Sequence, residues 1–132
     1  MINEILAVLL FTGVLYLNVN TDYNKWLKNI PIKHARNWFL RGLELIPCII
    51  LLNYPWFDLR QIVSSIFLSG AIWWEFFDGW YNKKRGFKWR FNGSKDKDDA
   101  FLDKILRKFT PKQQAILKWS LIILFLILYI IW

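Results

Sequence analysis

Cysteine is almost missing from this chain. Cys48 stands alone among 132 residues, which excludes an internal disulfide and any cluster of thiolate metal ligands. It reads as a small, buried apolar residue. Catalytic signatures are missing too. There is no HExxH, no GxSxG and no phosphate-cradling glycine loop, and the one histidine, His34, leaves no Ser-His-Asp order to argue from. Negative charge is scarce, with ten Asp and Glu against eighteen Lys and Arg for a net charge of +8. No internal repeat or low-complexity linker divides the chain. The first apolar run has no Lys or Arg before it and no small-residue cleavage pattern after it, so the reading is a retained helix and not a removed signal peptide.

What the chain does have is apolar and aromatic bulk. At 55% hydrophobic and 19% aromatic, with nine tryptophans, it is richer than an ordinary soluble domain. Indole rings favour the bilayer interface, where the apolar body and the single N–H find different solvents. From Trp119 to Trp132 there is no charge, and Ser120 and Tyr129 are the polar side chains apart from the terminal indoles. That run sets aside the alternative of a soluble helical protein with an aromatic core. The positive charge could suggest nucleic acid, but the basic residues bracket hydrophobic runs, which suits membrane orientation better.

Five helices follow from the spacing. The first, about 3–19, holds the uncharged run Ile5 to Leu17, which rises only about 20 Å against about 30 Å of hydrocarbon. It spans by thinning the bilayer or by snorkelling of its ends; an interfacial or re-entrant helix is the competing reading. A basic segment follows, and Pro31 at a first turn predicts a second helix over 31–53, with Pro47 placed to kink it. Asn53, Tyr54 and Pro55 break that pattern, and Asp58 followed by Gln61 predicts a capped third helix over 59–84. On it Ser64, Ala71, Glu75, Asp78 and Asn82 form one narrow polar stripe that should face protein and not lipid. Apolar residues at helical intervals predict a short amphipathic surface helix over 98–109. Thr110, Pro111 and Gln113 then supply N-cap, N1 proline and capping-box partner for a last helix over 111–132, about 33 Å long.

The expected fold is therefore all-α. It is an integral membrane bundle of about four transmembrane helices plus a cytoplasmic amphipathic helix, in one domain. Seventeen of the eighteen Lys and Arg fall in the first and third connections when Arg41 is counted with the first. By the positive-inside rule those loops are cytoplasmic and both termini lie outside.

The sharpest candidate site is assembled by topology. Antiparallel packing of the second and third helices would bring Arg41 and Glu44 to the depth of Glu75 and Asp78, with His34 above. Acidic residues at such depth normally pair or serve a function. His34, Glu44, Glu75 and Asp78 are thus catalytic candidates, and Glu44, Glu75 and Asp78 are candidates for a divalent cation. They could also carry a proton or act on a lipid headgroup. The plainer and favoured reading is a structural ion-pair layer in which Arg41 bridges Glu44 and Glu75. Arg41, Lys88, Trp89 and Arg90 are candidates for binding anionic lipid headgroups, since interleaved cations and rings suit that layer better than a nucleic acid. Asp96, Asp98, Asp99 and Asp103 lack the ligand register of a calcium loop and read as acids at a helix start.

The segment WEFFDGWYNKKRGFKWRFNGSKDKDDAFLD, Trp74 to Asp103, resembles small multi-pass membrane proteins of bacteriophages and related bacterial elements. The resemblance implies a membrane protein of phage-like origin and brings no activity or catalytic residue with it. The functional expectation is a non-enzymatic scaffold or membrane-remodelling component, a virion membrane protein or holin-like factor acting by self-association in the lipid bilayer. The main alternative is an interfacial lipid-acting or metal-dependent enzyme, and a further one is an ion or proton pathway.

Overall fold

The computed structural model describes residues 2–30, 32, 34–55, 57–89, 105 and 108–132, with the backbone alone for 34–36 and 38. Four helices account for most of them: α1 (Ile2–Leu27), α2 (His34–Asn53), α3 (Leu59–Lys84) and α4 (Pro111–Ile131). The fold is all-α. The helix expected over 98–109 lies almost entirely outside the described residues; of its apolar positions Ile105 and Phe109 are described, and both are exposed.

Local signals explain where the helices start and stop. The Asp58 side chain accepts from the backbone N–H of Arg60 and Gln61, capping α3. Thr110 and Gln113 exchange the two reciprocal bonds of a capping box ahead of Pro111, opening α4. Two left-handed residues close α1 and α3. Asn29 (φ 51°) follows α1, with Ile30 N–H donating to Lys25 C=O at 2.9 Å. Gly86 (φ 80°) follows α3, with Phe87 N–H donating to Asn82 C=O at 2.9 Å. Both are six-to-one closures of the kind that left-handed Gly or Asn permits.

Two boundaries differ from expectation. The first helix runs to Leu27 and not to about 19, because Val19 and Asp22 are buried against neighbouring helices and tertiary contact overrides the polar composition of Asn18 to Asn24. The second begins at His34 and not at Pro31, and it continues through Pro47 to Asn53.

Long-range contacts fix an alternating up-and-down order. Asn3, near the start of α1, donates to the Tyr54 carbonyl after α2 at 3.5 Å. Lys84 at the end of α3 donates to Asn20 of α1. Tyr129, near the end of α4, donates its hydroxyl to the Leu52 carbonyl of α2 at 3.0 Å. The first and third connections therefore share one end of the bundle. Two apolar clusters hold it together. Leu15, Val19, Leu45, Cys48, Trp73 and Phe77 join α1, α2 and α3, while Leu68, Ala71 and Ile122 join α3 to α4. Helix α3 belongs to both.

Many large apolar side chains lie on the outside of the bundle. Val8, Leu9, Ile116, Ile123 and Ile130 are all exposed. Helices α1 and α4 are each long and apolar enough to cross a membrane, and in each the most apolar stretch is only 17% buried.

Candidate functional site

Nearly all buried charge lies toward the end of the bundle that carries the first and third connections. It is divided among separate partners. Between α1 and α2, the extra length of α1 carries Asp22 inside the bundle, where the carboxylate, 4% exposed, accepts from the Arg41 guanidinium. Lys25 lies 3.8 Å from the other oxygen, and Asn37 donates to it at 3.5 Å. Arg41 Nε donates to Asn18 Oδ1 at 3.3 Å, and Asn18 in turn donates to Glu44. The guanidinium lies over the Phe77 ring, 4.1 Å from its centroid. A buried ion pair with this many supporting contacts is costly to break from one side.

On the other flank of α3, Lys118 of α4 reaches Asp78 at 2.8 Å and the Trp74 carbonyl at 3.3 Å, with its ammonium 4.7 Å from the Trp74 ring. The lysine side chain is 8% exposed and the aspartate 43%, so the pair opens toward the surrounding medium through the acid.

The third group surrounds Glu75. After Gly86 the chain folds back along α3, and Trp89 lays its indole across Gly79. A Cβ at Gly79 would stand 1.8 Å from Trp89 Cε2, so only glycine leaves room for that ring. The indole N–H donates to Glu75 Oε1 at 3.2 Å, Asn82 Nδ2 donates to the Trp89 carbonyl at 3.1 Å, and Phe76 meets the ring edge-on. Arg85 donates to Asn82 Oδ1 at 2.6 Å and stacks 4.1 Å over Tyr81. Burial is the main cause that lowers the Arg85 pKa from its ordinary value, with Tyr81 and Asp78 opposing it.

The residues singled out from sequence are thus not brought to one place. Glu44 is exposed and bonded to Asn18; Glu75 is buried under Trp89; Asp78 pairs with Lys118. Arg41 does not bridge Glu44 and Glu75, and it is 7% exposed. It is turned inward onto Asp22, because α1 continues far enough to present that acid. Trp89, expected at headgroups, points its N–H into the protein, while Lys88 is exposed. The His34 side chain and Arg90 lie outside the described residues. Among the described residues no group of three or more His, Cys, Asp or Glu is arranged to hold a metal ion. Asp22, Asn18 and Lys118 are the participants that sequence reasoning missed as partners.

No family model, curated protein or solved structure matches the chain. What the arrangement can do chemically is hold helices in register. Each of the three groups ties a charged or polar side chain of one segment to a partner on another, and charged hydrogen bonds of this kind are stronger and more directional than apolar contact.

Proposed function

We propose that this chain is a small multi-pass integral membrane protein, non-enzymatic, acting as a scaffold or membrane-remodelling component through self-association. The observation that carries the reading is α4. It has no charge after Lys118, yet its most apolar stretch is 17% buried, whereas the core helix of a water-soluble protein would be mostly covered. Helices α2 and α3 also cross or nearly cross in this reading, because their buried charges are paired internally, as intramembrane charges are when they are tolerated. The basic connections take the cytoplasmic side and both termini the other, with Trp80 and Trp119 near one interface and Trp132 near the other. The resemblance of residues 74–103 to phage-encoded membrane proteins favours a virion membrane or holin-like setting.

An interfacial enzyme would need acids facing a shared space, and the separate partners of Glu44, Glu75 and Asp78 favour the structural role instead. The test is expression followed by carbonate washing of the membranes and cross-linking in situ. The expected result is retention in the pellet with a ladder of oligomers. Release into the carbonate supernatant would overturn the membrane assignment, and a strictly monomeric protein without effect on membrane integrity would overturn self-association.

A further inference from the structure

We infer that the bilayer this fold is built for is thin, with a hydrocarbon layer near 20 Å and not the ordinary ~30 Å. The inference rests on the membrane reading above and adds the lipid it selects.

The argument starts from polar groups that face outward. At the end bearing the basic connections, they do not sit at the helix tips. Glu44 is exposed, ten residues into α2 and so about 15 Å from its start. Asp78, 43% exposed, lies about 9 Å before the end of α3. Tyr16 and Trp119, exposed residues of the kind that mark an interface, lie about 16 and 12 Å inside α1 and α4. All four helices therefore carry outward polar or interfacial groups well inside this end. At the opposite end the outward limits are Glu4 on α1, Tyr54 after α2, Arg60 on α3 and Trp132 after α4.

The lengths between these limits are short. From Glu4 to Tyr16 is about 18 Å and from Trp119 to Trp132 about 20 Å. From Glu44 to Tyr54 is about 15 Å, and from Arg60 to Asp78, the longest, about 27 Å. Tilt shortens each projection further. The two most apolar helices, α1 and α4, thus agree on a belt roughly a third thinner than the ordinary hydrocarbon layer.

Sliding the molecule cannot repair the mismatch. Sinking the charged end into hydrocarbon would bury Glu44 and the open side of Asp78, and burying ionisable groups in lipid costs more than locally thinning the bilayer. Shifting the other way moves Glu4, Asp58 and Arg60 into lipid instead. The bilayer must therefore thin around the protein, and copies of the protein that share one thinned patch reduce the total mismatch, which ties lipid selection to assembly.

The experiment uses the full-length protein reconstituted in phosphatidylcholine vesicles with monounsaturated chains of about 14 to 22 carbons. Quenching of the intrinsic tryptophan fluorescence by brominated lipids of each length reports relative lipid binding. Binding is expected to peak at the shortest two lengths and to fall at least about twofold toward the longest. A flat profile, or a peak in the middle or at the long end, overturns the inference. Flotation of the same samples separates the two claims: protein that fails to float with any vesicle refutes the membrane reading itself, whereas protein that floats with all of them and prefers long chains refutes only the thin belt. Glu44→Leu together with Asp78→Leu and Lys118→Met, the last so that no unpaired ammonium is left at that depth, should move the optimum to longer chains, with helicity by circular dichroism unchanged. An optimum that stays in place in a folded triple variant would refute the role of these groups as the edge.

Discussion

Gly79→Ala is the most discriminating substitution in this molecule, because two well-founded effects predict opposite signs. Glycine inside a helix is ordinarily worse than alanine by about 1 kcal/mol, so the exchange should stabilise. At Gly79, however, the new methyl would lie 1.8 Å from Trp89 Cε2 and 2.3 Å from two further ring carbons. A six-membered ring cannot yield at that distance, so the whole indole must leave. Its departure removes the N–H bond to the buried Glu75, about 1–3 kcal/mol, and the edge contact with Phe76, about 0.5–1.5 kcal/mol. After the helix-propensity gain, the net loss is about 2 kcal/mol. Gly13, Gly42 and Gly70 are the internal controls, since a Cβ at each meets nothing within 4 Å. Alanine there should be neutral or stabilise by up to about 1 kcal/mol. The assay is reversible unfolding in mixed micelles, followed by circular dichroism, for the four single variants and for Gly79→Ala combined with Trp89→Ala. In the double variant the penalty of Gly79→Ala should vanish, since no ring remains to displace. If Gly79→Ala stabilises as much as Gly70→Ala, or if its penalty survives removal of the tryptophan, the reasoning about this seat is wrong.

Other substitutions test the remaining contacts by the same unfolding measurement. Arg41→Met should cost about 3–5 kcal/mol by leaving the Asp22 carboxylate buried without its main partner, and adding Asp22→Leu should recover most of that loss. Asp78→Asn should cost about 1–3 kcal/mol, because the buried Lys118 ammonium loses its counter-charge and keeps only a neutral acceptor, and adding Lys118→Met should recover most of that loss. Tyr129→Phe removes the hydroxyl bond to the Leu52 carbonyl and should cost about 0.5–1.5 kcal/mol. Thr110→Ala breaks the capping box and should cost about 0.5–2 kcal/mol, with Thr110→Ser restoring it.

The legible parts of the fold were those governed by local chemistry. Asp58 and the Thr110–Pro111–Gln113 triplet each place a helix start through side chains that bond the nearest free N–H groups, and such signals need no knowledge of tertiary structure. The end of α1 was not read, because Asn18 to Asn24 looks like a polar connection when composition is weighed alone. A signal was nonetheless present. Ala7, Phe11, Leu15, Asn18 and Asp22 recur at intervals of four, four, three and four, one continuous helical face, and Asn29 is an eligible left-handed closure. Missing that extension also hid the ion pair, since Asp22 meets Arg41 only if the helix carries it there. Glu75 and Asp78 were recognised as unusual, but which group each would meet depends on which flank of α3 faces α4 and where the chain returns after Gly86. Gly79, four residues beyond Glu75 on the same face, was the one local hint that something flat lies over that acid.

The sharing of α3 between two otherwise disjoint apolar clusters has a consequence for the order of assembly. A ribosome delivers α1, α2 and α3 with their common cluster complete before the last segment exists. The final rod then docks onto a finished wall, and its buried lysine finds Asp78 already waiting there. In the membrane reading proposed above, a rod that entered first would leave that ammonium in bare hydrocarbon, so the order of synthesis is also the order of safe insertion.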